Sequence, residues 1–435
     1  MSAAQHFTSA ARLQAMLDVE GALADAEASL DIIPRSAALA IRDALRADFY
    51  DASAIEADAR RAGNVAIPLV RQLTARVAEA DADAARYVHW GATSQDIIDT
   101  ALLLQLRHAV PAIAADLARA ADAAADHARR YANTPMAGRT WLQQATPVTF
   151  GLKAAGWVDA LDRVACGIRN TLSGVMVLQF GGASGTLAAL GDRGIAVSEH
   201  LAAALRLKVP SLPWHAHRDR LAALSCALGV ATGTLGKIAR DVALLAQTEV
   251  GEAHEGTPDG GGSSTMPQKQ NPVNSAIALA AAIRAPGLVA TVLAAMPQEH
   301  ERALGGWQAE WEAIPDLVIV TADAAAAIAE SLERLVVDPA RMRANLEASG
   351  GLVLAEAIAM RLAPRLGKQE AHSIVQRAAR RATTERRAFA DVLADDPQVS
   401  AVLDRSEITE TLSPEKYLGS TSAFIADVLA RHAKA

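Results

Sequence analysis

Five stretches of this 435-residue chain, 109–131, 147–178, 220–249, 272–297 and 310–334, are long, apolar and almost unbroken by turn residues. At 1.5 Å of rise per residue each would span about 30–50 Å as a helix. No such helix can bury its own apolar surface, so the five imply a bundle that also packs against other copies of the chain. Composition agrees: 51% of residues are hydrophobic but only 4% aromatic, the apolar content being mostly Ala, Leu, Val and Ile. Ala and Leu favour helices, and this much apolar surface excludes disorder. No segment alternates persuasively as a strand and no internal repeat is present. The expected fold class is all-α, in three helical domains: 1–108, with short helices broken by turns; 109–348, a central bundle of long helices; and 349–435, a smaller helical module.

Charge narrows the partners. Lys plus Arg number 42 against 49 Asp plus Glu, a net charge of −7, which argues against a nucleic-acid surface. The run Arg377, Arg380, Arg381, Arg386, Arg387 reads as a solvated helix face. Cys166 and Cys226 have no metal-ligand or redox spacing, as expected in a reducing cytoplasm. The start of the chain lacks the pattern of a secretion signal. Residues 275–297 are long and apolar enough to cross a bilayer. With Arg284 and Pro286 inside and no aromatic belt, they read better as a helix buried all round, so neither membrane nor nucleic acid is an expected partner. His215 and His217 lack a further ligand at metal spacing, and no metal is expected.

Three polar loop-to-helix junctions carry the chemistry. GGGSSTMPQKQNPVNS (260–275) joins glycines, hydroxyls, a lysine and an Asn271-Pro272 helix start, the ingredients of an anion site. HWGATSQD (89–96) has capping-box spacing between Thr93 and Asp96, and its hydroxyls suit a carboxylate equally well. GRTWLQQATP (138–147) places Arg139, Thr140, Gln143 and Gln144 ahead of Thr146-Pro147, again read as a helix start.

The segment GSSTMPQKQNP, beginning at Gly262, resembles the GSSxMPxKxNP signature of the fumarase/aspartase superfamily, and the other junctions resemble its other two signatures in the right order. Within the superfamily, RYVHWGATSQDIIDT, GRTWLQQATPVTFGLKAAGW, LQFGGASGTLAALG, PWHAHRDRL and AAMPQEHERALGGWQAEW look like the cycloisomerase branch acting on 3-carboxy-cis,cis-muconate. The resemblance implies a lactonising step in protocatechuate degradation and no cofactor. It also implies a homotetramer with a shared helical core, its active sites built from three subunits and taking a small tricarboxylate.

Residue by residue, it implies that Ser263 is the carbon acid/base. Lys269 and Asn271 would stabilise developing charge, and Thr93, Ser94, Thr140 and Gln143 would hold substrate carboxylates. Arg302 would clamp one of them, and His89 and Trp141 would contact substrate. Where related lyases carry a leaving-group histidine this chain has Trp141, and a second lyase histidine is missing around Gly63-Asn64. A lyase needs such an acid, worth about 10²–10⁴ in rate. A carboxylate nucleophile, with a pKa near ~4, attacks and leaves without a proton. Gln268 and Gln270 replace the His and Arg common in relatives, making the loop less basic. The alternatives are a fumarate-releasing lyase, such as one acting on adenylosuccinate, and a non-catalytic scaffold. The intact Ser263, Lys269 and Asn271 set argues against the second.

Overall fold

The structure is a computed structural model that describes residues 2–256, 261–262, 265–266 and 269–434. Ser263 and Gln268 lie outside the described residues. In chain order the elements used below are α1 (Ser9–Ser29), α2 (Ser94–Arg130), β1 (Pro135–Thr140), β2 (Gln143–Thr149), α3 (Phe150–Val175), α4 (Asp219–Leu245), β3 (Ala253–Glu255), α5 (Val273–Ala295), α6 (Gly306–Glu333), β4 (Leu335–Val337), α7 (Pro339–Glu347), α8 (Ala355–Leu366) and α9 (Lys368–Glu385).

The five long helices are all present, with bounds that differ from expectation in two instructive places. The first begins at Ser94 rather than near 109 and runs for 37 residues with Pro111 inside it. A proline normally signals a helix start or break, because it removes one backbone donor. Buried Ala109, Val110 and Ile113 on either side of it hold the helix together across the missing rung. Pro286 in α5 and Pro315 in α6 are likewise internal.

The second difference is at Thr146-Pro147, which lies inside β2 and not at a helix start. The turn that opens α3 is capped three residues later, where the Thr149 hydroxyl accepts from the Leu152 N–H at 3.1 Å. The expectation of no strands is corrected here. β1 and β2 form an antiparallel hairpin in which Thr140 pairs with Gln143, and β3 pairs antiparallel with β4. The hairpin segments are short, and both contain a proline and small residues, so no period-two pattern announces them.

The chain divides into two compact units. The first comprises residues 1–116, 164–233 and 280–326; the second comprises 117–163, 234–279 and 327–435. Each of the five long helices contributes residues to both. In the first unit, α1 starts at an N-cap in which the Thr8 hydroxyl accepts from the Ala11 N–H, and it buries Leu13, Met16, Leu17, Val19 and Leu23. Two acids, Glu20 and Glu27, are buried on the same helix. In the second unit the C-terminal module closes over Ile358 and Leu362 of α8, Ile374 and Val375 of α9, and Phe389, Val392 and Leu393 beyond.

Three helices, α2, α4 and α5, are long and apolar enough to cross a membrane by length and composition. The most apolar windows of α2 and α4 are 67% and 56% buried, whereas that of α5, mean hydropathy 1.9, is only 22% buried. α5 exposes Ile277, Ile283 and Leu293.

Candidate active site

In the first unit the site is organised by one carboxylate. Asp96, in the first turn of α2, is 1% exposed. It accepts from the Gly181 and Gly182 N–H groups at 2.9 Å, the Gln179 amide at 3.2 Å and the Thr93 N–H at 3.1 Å, and bonds His215 Nε2 at 2.7 Å. Half of the expected capping box is thus present: the acid caps the Thr93 amide. The other half is not: the Asp96 N–H donates to the Thr93 carbonyl at 3.0 Å, and the Thr93 hydroxyl accepts instead from Arg302 Nη1 at 3.0 Å. Arg302 also donates to the Ala183 carbonyl at 2.9 Å and the Gly182 carbonyl at 3.5 Å. Its buried Nε–H has no partner among the described residues. His215 is therefore a structural tie, and among the described residues no group of His, Cys, Asp and Glu could hold a metal ion.

One helical turn deeper, the Arg218 guanidinium is 2% exposed and is paired with Asp99 at 2.6 Å and Glu310 at 2.6 Å. Trp307 Nε1 donates to Asp99 at 3.0 Å. Burial pushes the Glu310 carboxyl up despite the Arg218 hydrogen bond. Removing one partner of such a cluster would strand a buried charge, so it locks the start of α6, just beyond Arg302, against α2. A cavity of about 660 Å³ lies beside it, lined among others by Arg12, Asn64, Arg218, Glu310 and Trp311. Asn64 stands where lyases tend to carry a histidine. Its side-chain oxygen accepts from the Ala66 and Ile67 N–H groups at 3.1 and 3.2 Å, so it caps a helix.

His89 adopts φ of +60°, a left-handed backbone that a histidine occupies at some cost. Its Nδ1 lies 2.7 Å from Glu20 Oε1. Burial works against the imidazolium, but the Glu20 carboxylate outweighs it and raises the His89 pKa, with Asp96 assisting. The sequence reading missed Glu20. Two acids, Glu20 and Glu27, in the buried stripe of this helix were the signal available.

In the second unit, Thr140, Trp141 and Gln143 sit at the tip of the β1–β2 hairpin, and all three are exposed. Trp141 and Leu142 form the two-residue turn with φ of +53° and +64° and are 98% and 79% exposed. A turn with two positive φ values normally takes Asn-Gly. Two bulky apolar residues there are strained and solvated at once. Arg139, just before the tip, is held by a two-pronged pair to fully buried Glu252 at 2.8 and 2.6 Å, and Asn345 of α7 donates to the same carboxylate at 2.8 Å.

The same strand that follows Glu252 supplies Glu255, which is 4% exposed. Glu255 accepts from the Asn274 and Ser275 N–H groups at 3.0 and 2.8 Å, and from the Ser275 and Ser331 hydroxyls at 2.7 and 3.1 Å. The first-turn amides of α5, read from sequence as part of a ligand anion site, are thus taken by a carboxylate of the protein itself. A ligand must rely on the loop ahead of them. That loop is cinched where the Asn271 N–H donates to the Gly261 carbonyl at 2.8 Å. Gly261, at φ of +75°, would place a Cβ 2.4 Å from the Asn271 carbonyl oxygen, so only glycine fits. Lys269 is exposed and Asn271 partly buried.

The geometry thus joins Thr93 to Arg302 in one unit, with His89 four residues ahead of Thr93 and tied to Glu20, and holds Thr140, Trp141 and Gln143 on one hairpin and Lys269 and Asn271 on one loop in the other. A family profile described as Lyase matches residues 2–287, and one described as Adenylosuccinate lyase C-terminus matches 351–428. The chain belongs to this lyase family and has the fold of its fumarase-like members. Within it, the 3-carboxy-cis,cis-muconate cycloisomerase of Bradyrhizobium diazoefficiens is 52% identical over 414 residues, 95% of this chain and 92% of its own. The enzyme of the same name from Pseudomonas aeruginosa is 51% identical, covering 98% and 93%. The crystal structure of the 3-carboxy-cis,cis-muconate lactonizing enzyme from Pseudomonas putida matches with a TM-score of 0.93 at 47% identity, covering 99% of this chain and 97% of that one.

Proposed function

We infer that this chain is a 3-carboxy-cis,cis-muconate cycloisomerase, closing its substrate to 4-carboxymuconolactone in protocatechuate degradation. The observation that carries this reading over a fumarate-releasing lyase is the residue at position 141. At a solvent-facing hairpin tip where a lyase would hold an acid/base histidine, the chain presents an indole, which carries no titratable proton near neutral pH. An intramolecular carboxylate adds across a double bond of its own molecule. One C–O bond forms, one π bond is consumed, and one proton is taken up on the carbon α to another carboxylate. The oxygen nucleophile is already ionised, so the demand on the protein is confined to the carbon proton and to the enediolate-like charge that precedes it.

Ser263 is assigned the carbon proton, and Lys269 and Asn271 the charge. Fixed donors of this kind are worth about 10²–10³ in rate each. Thr93, Ser94, Thr140 and Gln143 are assigned to substrate carboxylates, His89 and Trp141 to the remaining contacts, and Arg302 to the clamp. In support, Arg302 is held by Thr93 and two carbonyls while its Nε–H stays unpaired, leaving a donor for a carboxylate. A trianionic substrate approaching a protein of net charge −7 needs such local cations.

The apolar face of α5 supports a homotetramer in which these helices cover one another, with sites composed of residues from more than one subunit. Domain limits of 1–108, 109–348 and 349–435 and a cytoplasmic location belong to the same proposal. The deciding assay follows the ultraviolet absorbance of the muconate with purified protein. Its loss without fumarate release is the expected result; fumarate from adenylosuccinate would overturn the reading.

A further inference from the structure

The first unit contains a chain of three ionisable side chains whose deeper members lie outside the roles assigned above. Glu20 and Glu27 lie seven residues apart on α1, two helical turns along one face. They are 2% and 0% exposed. Glu20 bonds His89 Nδ1 at 2.7 Å. Both oxygens of Glu27 are buried without a hydrogen-bond partner among the described residues. Burial, reinforced by the nearby Glu20 charge, pushes the Glu27 acid up to about 9, so it is neutral at pH 7. The groups facing His89 are Glu20 from α1 and Asp96 from the first turn of α2. Asp96 is already saturated by Thr93, Gln179, Gly181, Gly182 and His215. A protonated histidine bonded through Nδ1–H to a buried carboxylate presents Nε2–H as a second donor, with its ring direction fixed.

We propose that Glu20 is a positioning residue for the lactonisation site, holding His89 through Nδ1 as an oriented imidazolium whose Nε2–H binds a carboxylate of the substrate beside Thr93 and Arg302. This rests on the assignment of His89 to the substrate. The arrangement adds a third cationic or hydroxyl contact to the Thr93–Arg302 pair without placing a proton shuttle on the ring oxygen.

The test uses the full-length enzyme and its Glu20→Gln, Glu20→Asp and Glu27→Gln variants. In Glu20→Gln the charge is lost while the shape is kept. KM should rise about tenfold with kcat changed less than about threefold, and the alkaline limb of kcat/KM should move down by about one pH unit, because a histidine pKa raised by an anion falls when that anion is removed. The His89 resonance, followed by nitrogen NMR, should titrate above 6.5 in the wild type and at or below it in Glu20→Gln. Glu20→Asp should restore part of both shifts. Glu27→Gln replaces a neutral acid by a neutral amide and should leave the kinetic profile unchanged.

An unmoved alkaline limb and KM in Glu20→Gln would overturn the proposal, as would a wild-type His89 that is neutral at pH 6.5 or protonated only on Nε2. Should Glu20→Gln not fold, the wild-type titration and Glu20→Asp decide. If the wild type failed to lactonise 3-carboxymuconate while His89 titrated as expected, the functional reading would fall and the Glu20–His89 pairing would stand.

Discussion

A buried acid that stays protonated is a liability whose size can be read from its titration. Glu27 has a pKa of about 9 in the fold against 4.5 in the unfolded chain. The folded state therefore holds a proton that the unfolded state has released, and stability is lost as pH rises between those two values. Glu27→Gln removes that dependence. The variant should match the wild type near pH 4 and exceed it at pH 7 by on the order of 1–3 kcal/mol, visible in urea melts at several pH values. An advantage independent of pH would show that packing, not protonation, limits the wild type. Arg302 makes the complementary case. Lysine keeps the charge but loses the planar fork that reaches Thr93, Ala183 and a ligand together. Arg302→Lys should raise KM about tenfold with a smaller change in kcat, whereas an unchanged KM would remove Arg302 from the substrate.

The hairpin tip and the α5 cap show how elements carry the site. Trp141 and Leu142 occupy left-handed backbone at roughly 1–2 kcal/mol each, and nothing in the turn itself requires their side chains. Replacing them by Asn-Gly, which suits this turn, should leave the protein at least as stable to heat while lowering kcat/KM by tenfold or more. Unchanged turnover would mean that the tip merely closes a hairpin. Glu255→Ala strips three hydrogen bonds from the start of α5 and one from Ser331 of α6. It should destabilise the chain by about 2–4 kcal/mol, measured by denaturant melts. These two elements also mark where the sequence was and was not legible. The long helices were visible because apolar content sustained over many turns has few alternatives. The position of α5 was visible to within a residue from Asn271-Pro272. The hairpin was invisible, because its strands are short and carry no alternation. The start of α2 was legible in the Thr93–Asp96 spacing, but its continuation through Pro111 was not, because a local break signal is overridden by packing. Site residues in the three loops could be picked out by resemblance to a signature. The acids that hold them, Glu20, Glu252 and Glu255, lie far off in sequence, and only a folded chain shows which loop a buried carboxylate will meet.

At the scale of the whole molecule, the unresolved account is the apolar surface of α5. Its most apolar window has a mean hydropathy of 1.9 and is 22% buried, and Ile283 is 76% exposed. Fully burying an isoleucine is worth about 1.5–3 kcal/mol, so a row of such residues facing water is a strong drive to associate. Association is also what the proposed sharing of sites between subunits requires. Ile283→Glu places a charge in the middle of that face. It should convert the proposed tetramer to smaller species by light scattering and abolish most lactonisation, although the substitution lies outside all three signature loops. The far-ultraviolet circular dichroism of the separated subunits should stay close to that of the wild type, since within one chain the residue touches water. A variant that remained tetrameric and active would mean that α5 is covered by something other than its own copies. Activity retained in a dissociated variant would instead confine the whole site to a single chain.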